Sequence, residues 1–168
     1  MDTEREDTER EQRGQQWLQE FLNLSGIETK VLTQESPVFW EDTCWLVIDD
    51  STLSDEQVTQ LLGENGHVLD SIQYLANTTL NLGAAPEQQG AFTVDLAGYR
   101  ERRYQELKAI AENAAVQARE TAKEVELKSL SAAERRQVHT ILKEHTDLET
   151  YSRGQEPDRR LVVRLLED

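Results

Sequence analysis

An arginine and a histidine four residues apart, Arg135 and His139, are the residues of this chain whose types and spacing most directly indicate binding chemistry. Four residues along an α-helix bring two side chains to one face, one turn apart. A guanidinium is a fixed cation with a planar set of donors, and an imidazole can donate, accept or stack. The pair could therefore hold a phosphate and a base of a nucleic acid. The ordinary alternative is a solvated helix flank or a histidine at the edge of a core.

The helix that carries this pair has a start signal in the sequence. Ser131 and Glu134 have the spacing of a capping box, in which each side chain binds a backbone amide at the helix start. The helix is therefore predicted to begin near Ala132, with Arg135 and His139 at the edge of its apolar stripe. The stripe consists of Val138, Ile141 and Leu142. An edge position leaves the polar tips in water, and a guanidinium of Arg135 that is buried and tied to a carboxylate would remove the predicted site.

The segment that follows, residues 148–164, predicts a strand, a turn containing Gly and Pro, and a second strand. Alternation along the second strand places Arg160 and Arg164 on one face. The other face takes the apolar residues Leu161, Val163 and Leu165. We expect a basic strand beside the helix, with Arg136, Arg160 and Arg164 supplying positive charge and Tyr151 a ring on which a base could stack.

These motifs resemble a known family. An Arg-x-x-x-His helix, opened by Ser-x-x-Glu-Arg-Arg and followed by Glu-Thr-Tyr-Ser-x-Gly-x-Glu-Pro-x-Arg-Arg, resembles the R-three-H domain of the bacterial Jag/KhpB family. The resemblance implies single-stranded nucleic acid binding, with Arg135 and His139 as the binding pair, and a KH domain immediately upstream. It further implies a small KH-only partner protein and a role in post-transcriptional control linked to cell envelope growth.

The upstream half has the element order of that KH domain. Periodicity predicts helix, strand, strand, helix, a Gly-x-x-Gly loop, helix and strand, which is similar to the prokaryotic type II arrangement αββααβ. The loop is Gly63, Glu64, Asn65 and Gly66, and outside this context it would indicate only a corner between two helices. Glycines let a backbone approach a nucleic acid chain, while loop amides and a helix N-terminus face its phosphates.

One residue of this loop opposes nucleic acid binding. KH loops usually carry Lys or Arg between the glycines, whereas this one carries Glu64 and Asn65. Residues 15–96 contain 13 acidic residues and one basic residue, Lys30, so no nearby charge offsets the repulsion between a carboxylate and a phosphate. We expect this half to bind RNA weakly by itself or to dock another protein.

Length and charge favour two small α+β domains in a chain of 168 residues. We predict a disordered mixed-charge tail at 1–13, a KH-like domain at 14–97, and a linker helix with the R-three-H domain at 98–168. The formal net charge of −15 opposes generic nucleic acid binding. Residues 97–168, however, contain 14 residues of each sign. Three arginines at the start of the linker helix oppose its dipole and require an acidic surface of the KH half or a nucleic acid phosphate beside them.

The remaining signals favour a non-enzymatic cytoplasmic protein. No apolar run reaches the length of a membrane span, the N-terminus is charged, and Cys44 is the single cysteine. The histidines have no partners at nucleophile or metal spacing, so no metal or cofactor is expected. We predict a regulator that binds single-stranded RNA, or single-stranded DNA. The alternative is a protein-interaction adaptor with an acidic KH half, which Glu64 favours; an enzyme is the least favoured interpretation.

Overall fold

The computed structural model of the chain describes residues 2–37 and 43–166. The chain divides into two compact units, Met1–Arg100 and Glu101–Asp168, so the division lies three residues beyond the predicted boundary of 97/98. Within the described residues, no helix combines the length and apolar character needed to cross a membrane.

The first unit has the αββααβ order that the sequence predicts. Its elements are α1 (Asp2–Leu24), β1 (Val31–Gln34), β2 (Thr43–Ile48), α2 (Asp55–Leu62), α3 (His67–Asn81) and β3 (Ala91–Leu96). The sheet has the order β1-β2-β3, with β1 antiparallel and β3 parallel to β2. Cys44 lies in the core beneath the helices, where Leu18, Leu46, Leu69 and Phe92 pack together. The predicted capping box of α2, between Ser54 and Gln57, is present.

Amide side chains of α3 cover the free edge of β3. Asn77 donates to the carbonyl of Phe92 at 2.7 Å and accepts from its amide at 2.9 Å. Asn81 pairs in the same way with Gly90, and Gln73 accepts from the amide of Val94 at 3.0 Å. Four helical residues rise about 6 Å and two strand residues about 6.6 Å, so the two spacings match. These side chains satisfy an edge that would otherwise be open to another strand.

The prediction of a disordered tail at 1–13 is wrong in this structure, because residues 2–13 form the first turns of α1. Arg13 donates to the carbonyl of Leu80 at 2.5 Å and to that of Gln88 at 3.0 Å. The bond to Leu80 satisfies a carbonyl in the last turn of α3, where a cation is favoured. Gly14 lets the helix approach closely, since a β-carbon there would lie 2.8 Å from the ring of Phe92. Tertiary contacts therefore fix the C-terminal end of a segment that has no apolar periodicity.

The second unit is built on the end of a long helix and a small antiparallel sheet. Helix α4 is Tyr99–Thr121, and the elements after it are β4 (Val125–Leu127), α5 (Ala132–Leu142), β5 (Leu148–Arg153) and β6 (Arg160–Leu165). The sheet order is β4-β6-β5. Alanines of α4 and the apolar residues of α5 pack against Leu148, Leu161 and Val163 on one face of this sheet. The predicted capping box of α5, between Ser131 and Glu134, is present.

Two of the three arginines at the start of α4, Arg100 and Arg103, form ion pairs with carboxylates of the chain. Arg100 is buried in the first unit and pairs with Asp70 at 2.5 Å. Arg103 pairs with Glu106 and Glu134, each at 2.7 Å, in the second unit. Arg100 therefore has the acidic partner in the KH-like half that was predicted, whereas Arg103 pairs with carboxylates of its own unit.

Candidate nucleic-acid interface

Arg135 lies inside the second unit rather than at its surface. Its side chain is only 5% exposed. The guanidinium donates to the carbonyl of Leu130 at 2.5 Å and, more weakly, to that of Arg159 at 3.4 Å. Its other terminal nitrogen pairs with the carboxylate of Glu156. Both terminal nitrogens of the guanidinium therefore already have an acceptor.

The prediction that Arg135 presents its guanidinium to water is wrong. Residues 135, 138 and 142 are spaced as i, i+3 and i+7, and all three are buried, so Arg135 occupies a core position of α5. A long aliphatic stem allows an arginine to take such a position when acceptors meet its charged end. A buried guanidinium tied to a carboxylate is the arrangement that removes Arg135 as a free binding group. A phosphate would have to compete with Glu156 for it.

His139 keeps a more open position one turn later. The ring is half-buried, and Nδ1 shares a hydrogen bond with the hydroxyl of Thr150 on β5. This bond fixes the ring against the sheet and leaves Nε2 as the nitrogen available to a ligand. His139 and Thr150 both line a cavity of the second unit.

This cavity, of about 370 Å³, lies where α5 meets β5. Its lining residues are Ala132, Arg135, Arg136, His139, Thr150, Tyr151, Ser152, Arg159 and Leu161. None of them is acidic, although the whole chain carries a formal charge of −15. Pockets of this size are large enough to hold small organic ligands. The cavity is therefore a local positive site in an acidic protein.

The arginines around this cavity differ in whether they are already paired. Arg136 and Arg159 are exposed, and within residues 2–37 and 43–166 neither guanidinium has a hydrogen-bond or ion-pair partner. Six of the nine arginines of the second unit hold a carboxylate, namely Arg103, Arg119, Arg135, Arg153, Arg160 and Arg164. Arg102 also has a partner. The two available guanidiniums thus both lie at the cavity.

Strand β6 forms, but its arginines do not face α5 as expected. Register pairs Arg164 with Glu149, Arg160 with Arg153, and Tyr151 with Val162, whereas Leu161 and Val163, which pack toward α5, alternate with them. The side chains of Arg160 and Arg164 therefore lie on the sheet face opposite α5. The structure separates them from Arg135 and His139, which is a correction to the predicted cluster.

On the sheet face opposite α5, Arg160 and Arg164 form ion pairs with carboxylates. Arg160 pairs with Glu126 at 2.8 Å, and Arg164 pairs with Glu149 and lies 3.7 Å from Glu124. A hydrogen bond from Arg160 lowers the pKa of Glu126 below its usual range. This face is therefore neutralised internally.

The predicted stacking residue is also engaged on the opposite face. Tyr151 borders the cavity through its place in β5, but its ring lies 5.4 Å from the guanidinium carbons of both Arg153 and Arg164. Its hydroxyl donates to Glu124 at 2.6 Å, a bond that raises the pKa of Tyr151 and lowers that of Glu124. The ring is held between two cations and is not offered to the cavity.

The Gly-x-x-Gly loop of the first unit joins α2 and α3 as predicted. Gly63, Asn65 and Gly66 have φ values of 67°, 52° and 77°, which explains the glycines at both ends. A β-carbon at Gly66 would lie 2.5 Å from the ring of Tyr99. Glu64 is exposed, and its carboxylate has no ion-pair partner within the part of the chain that the structure describes. The loop therefore presents a negative charge.

No role in the site was predicted for Arg159, Thr150 or Glu156, although all three belong to the motif that resembles the R-three-H family. A signal for Arg159 was present, since strand alternation extended one residue back from Arg160 places it with Leu161 on the side of α5. The bonds of Thr150 and Glu156 depend on how the hairpin folds over α5, for which the sequence has no local signal. Among the described residues, no three His, Cys, Asp or Glu side chains converge to hold a metal ion.

Comparison with known proteins agrees with the motifs. The model of the R-three-H domain family matches residues 105–165, which include the cavity. RNA-binding protein KhpB of Clostridium symbiosum is 32% identical over 113 residues, which are 67% of this chain and 50% of that protein. RNA-binding protein KhpB of Lactiplantibacillus plantarum is 34% identical over 103 residues, covering 61% and 31% of the two chains. RNA-binding protein KhpB of Bacillus subtilis is 31% identical over 113 residues, covering 66% and 53%.

The aligned part is about half the length, or less, of these curated relatives. The R-three-H match, the three similar proteins and the αββααβ unit upstream agree with one another and with the sequence motifs. The chain therefore carries an R-three-H domain and is similar to the proteins named KhpB over about two thirds of its own length.

Proposed function

We propose that this chain is a non-catalytic regulator that binds single-stranded RNA at the cavity of its second unit. The supporting observation is the cavity itself, which is lined by three arginines and one histidine and by no carboxylate. RNA recognition combines phosphate contacts with hydrogen bonding to unstacked bases. The position of the cavity within the R-three-H match, and the RNA-binding names of the relatives, support RNA as the ligand class.

The first unit has a different role in this proposal. Glu64 of the Gly-x-x-Gly loop is exposed, has no ion-pair partner in the described part of the chain and repels phosphates. This unit therefore binds RNA weakly and instead orients the second unit's RNA or recruits a partner protein. We also propose a small KH-only partner protein, which the family resemblance implies, and we propose that the chain acts in the cytoplasm. The same glutamate supports a second candidate function, a protein-interaction adaptor in which neither unit has appreciable RNA affinity.

The experiment compares two histidine variants of the full chain, His139→Ala and His145→Ala. His139 lines the cavity, whereas His145 contacts Arg119 and lies outside the set of lining residues. Binding of a short fluorescent single-stranded RNA of mixed sequence is measured by anisotropy at about 0.15 M salt, the physiological ionic strength. We expect His139→Ala to weaken binding several-fold and His145→Ala to leave it unchanged.

Two results would reject the proposal. Absence of RNA binding by the unmodified chain would favour the adaptor. Equal binding by the two histidine variants and the unmodified chain would mean that RNA, if bound, lies elsewhere. Crosslinking followed by identification of the attached peptide locates the contact directly, and the proposal requires a peptide from residues 132–161.

A further inference from the structure

We propose that Arg136 and Arg159 make the phosphate contacts at this cavity, and that Arg135 of the Arg-x-x-x-His pair is a positioning residue. The inference rests on the proposed function, since it assigns roles within the same RNA site. Arg159 lies in the motif that resembles the R-three-H family but was given no binding role there, and Arg136 was expected only to add positive charge nearby. Their assignment comes from the way the structure distributes partners among the arginines.

Pairing decides which guanidinium is available. A carboxylate that is already paired with a guanidinium neutralises its charge, so a phosphate gains less at a paired arginine than at an unpaired one. Arg135 holds Glu156 and the carbonyl of Leu130. Arg136 and Arg159 hold no acceptor among the described residues, and a phosphate would be the first for each. Since Arg135 and Glu156 neutralise one another, the excess positive charge of the cavity is that of Arg136 and Arg159.

The bonds of Arg135 explain how one of these two arginines, Arg159, is held. Arg136 is its neighbour on α5, and Arg159 accepts a hydrogen bond from Arg135 through its backbone carbonyl. The carbonyl of Leu130, just before α5, accepts a second bond. One buried guanidinium thus links the start of α5 to the residue before β6. Removing it would release the backbone of Arg159 while leaving Arg136 on its helix.

The ligand class follows from the cavity lining. The hydroxyls of Thr150 and Ser152 and the ring of His139 supply hydrogen-bonding groups at its wall, and the guanidiniums of Arg136 and Arg159 supply positive charge. Guanidiniums bind phosphate oxygens through two parallel N–H groups. This combination fits a phosphodiester-linked nucleotide whose phosphates lie at the two free arginines.

The test uses charge-matched single substitutions in the full chain. Arg136→Gln and Arg159→Gln each remove one unpaired cation, and Arg153→Gln and Arg160→Gln remove paired cations from the opposite sheet face. Each phosphate contact to a single strand contributes about 0.7 to the slope of log affinity against log salt. Loss of one contact therefore weakens binding about eightfold at about 0.05 M salt and about fourfold at about 0.15 M. We expect these changes for Arg136→Gln and Arg159→Gln and wild-type slopes for both controls.

The positioning role of Arg135 has its own readout. In folded protein, well below the melting temperature of each variant, Arg135→Gln should lower the salt slope by about 0.7, because the contact of Arg159 is lost. The double variant Arg135→Gln, Arg159→Gln should show the same loss, whereas independent contacts would lower the slope by about 1.4. A loss of about 1.4 would identify Arg135 as a phosphate contact and overturn the assignment.

The two proposals fail in different ways. RNA binding by the unmodified chain, with slopes for Arg136→Gln and Arg159→Gln equal to those of the Arg153→Gln and Arg160→Gln controls, would overturn the assignment and leave the proposed function standing. Absence of RNA binding by the unmodified chain would overturn both.

Discussion

The burial of Arg135 predicts that Arg135→Ala acts first on stability. The substitution removes two hydrogen bonds of a charged donor, to Leu130 and Glu156, and such bonds contribute about 1.5–3 kcal/mol each. It also removes two buried methylenes, which contribute about 0.8 kcal/mol each. Part of this is offset by the side-chain entropy that a fixed arginine loses, about 2 kcal/mol. We expect the free energy of unfolding of the second unit to fall by about 3–5 kcal/mol.

The chain offers a way to assign this loss to one unit. All three tryptophans, Trp17, Trp40 and Trp45, belong to the first unit, so their fluorescence reports only its unfolding. Calorimetry records both units. For a domain of this size each kcal/mol lowers the melting temperature by about 4–8 °C, so Arg135→Ala should lower one calorimetric transition by at least about 12 °C. The tryptophan transition should not move.

The matched control is the next residue. Arg136 is exposed and unpaired among the described residues, so Arg136→Ala removes the same charge from the same helix without breaking a bond. Its effect on the free energy of unfolding should be within about 0.5 kcal/mol of zero. Equal melting temperatures for the Arg135 and Arg136 variants would refute the reasoning, because they would show that the guanidinium of Arg135 is not held as described.

Two further predictions concern other charged groups. Hydrogen bonds from Arg119, with Nε at 2.7 Å, hold the pKa of Asp147 at about 2, below its ordinary value of 3.8. Because the folded-state pKa is the lower one, the pair stabilises the protein above about pH 4 and this contribution is lost as the pH falls toward about 2. The stability difference between wild type and Asp147→Asn, measured by urea unfolding, should shrink over that window; a constant difference would contradict the pairing. Glu64→Lys should strengthen RNA binding by the full chain and steepen its salt dependence more than the same charge change at exposed Glu20. An equal effect of Glu20→Lys would mean that net charge matters and the loop does not.

The elements of the fold were predictable because they depend on local patterns. Both capping boxes, at Ser54 and Ser131, form as their spacing predicts, and the αββααβ order follows from the periodicity of short segments. The start of α1 was not predictable in this way. Arg13, the last residue of the segment that was predicted to be disordered, is fixed by bonds to Leu80 and Gln88, which lie far along the chain.

The site was predictable only in part, because strand register decides which carboxylate lies beside each arginine. Alternation correctly separated Arg160 and Arg164 from Leu161 and Val163. The predicted basic strand beside α5 was wrong because Leu161 and Val163 form the face that packs on α5. Arg160 and Arg164 must then lie on the opposite face. The carboxylate that neutralises Arg160 is Glu126, on a strand 34 residues away, and its position depends on the pairing of β4 with β6.

The formal net charge of −15 is a weaker argument against RNA binding than its size suggests. Charges separated by more than about 8 Å are largely screened at physiological ionic strength, so a phosphate responds mainly to groups within one cavity. Within that range, a cation that is paired with a carboxylate contributes little field, and an unpaired one contributes its full charge. The second unit has nearly balanced numbers of acidic and basic residues, and carboxylates are paired with six of its arginines, Arg103, Arg119, Arg135, Arg153, Arg160 and Arg164. Among the described residues, the guanidiniums of this unit that have no partner are those of Arg136 and Arg159, and both lie at the same cavity. Pairing therefore leaves unneutralised guanidiniums at one cavity of a protein whose formal net charge is −15.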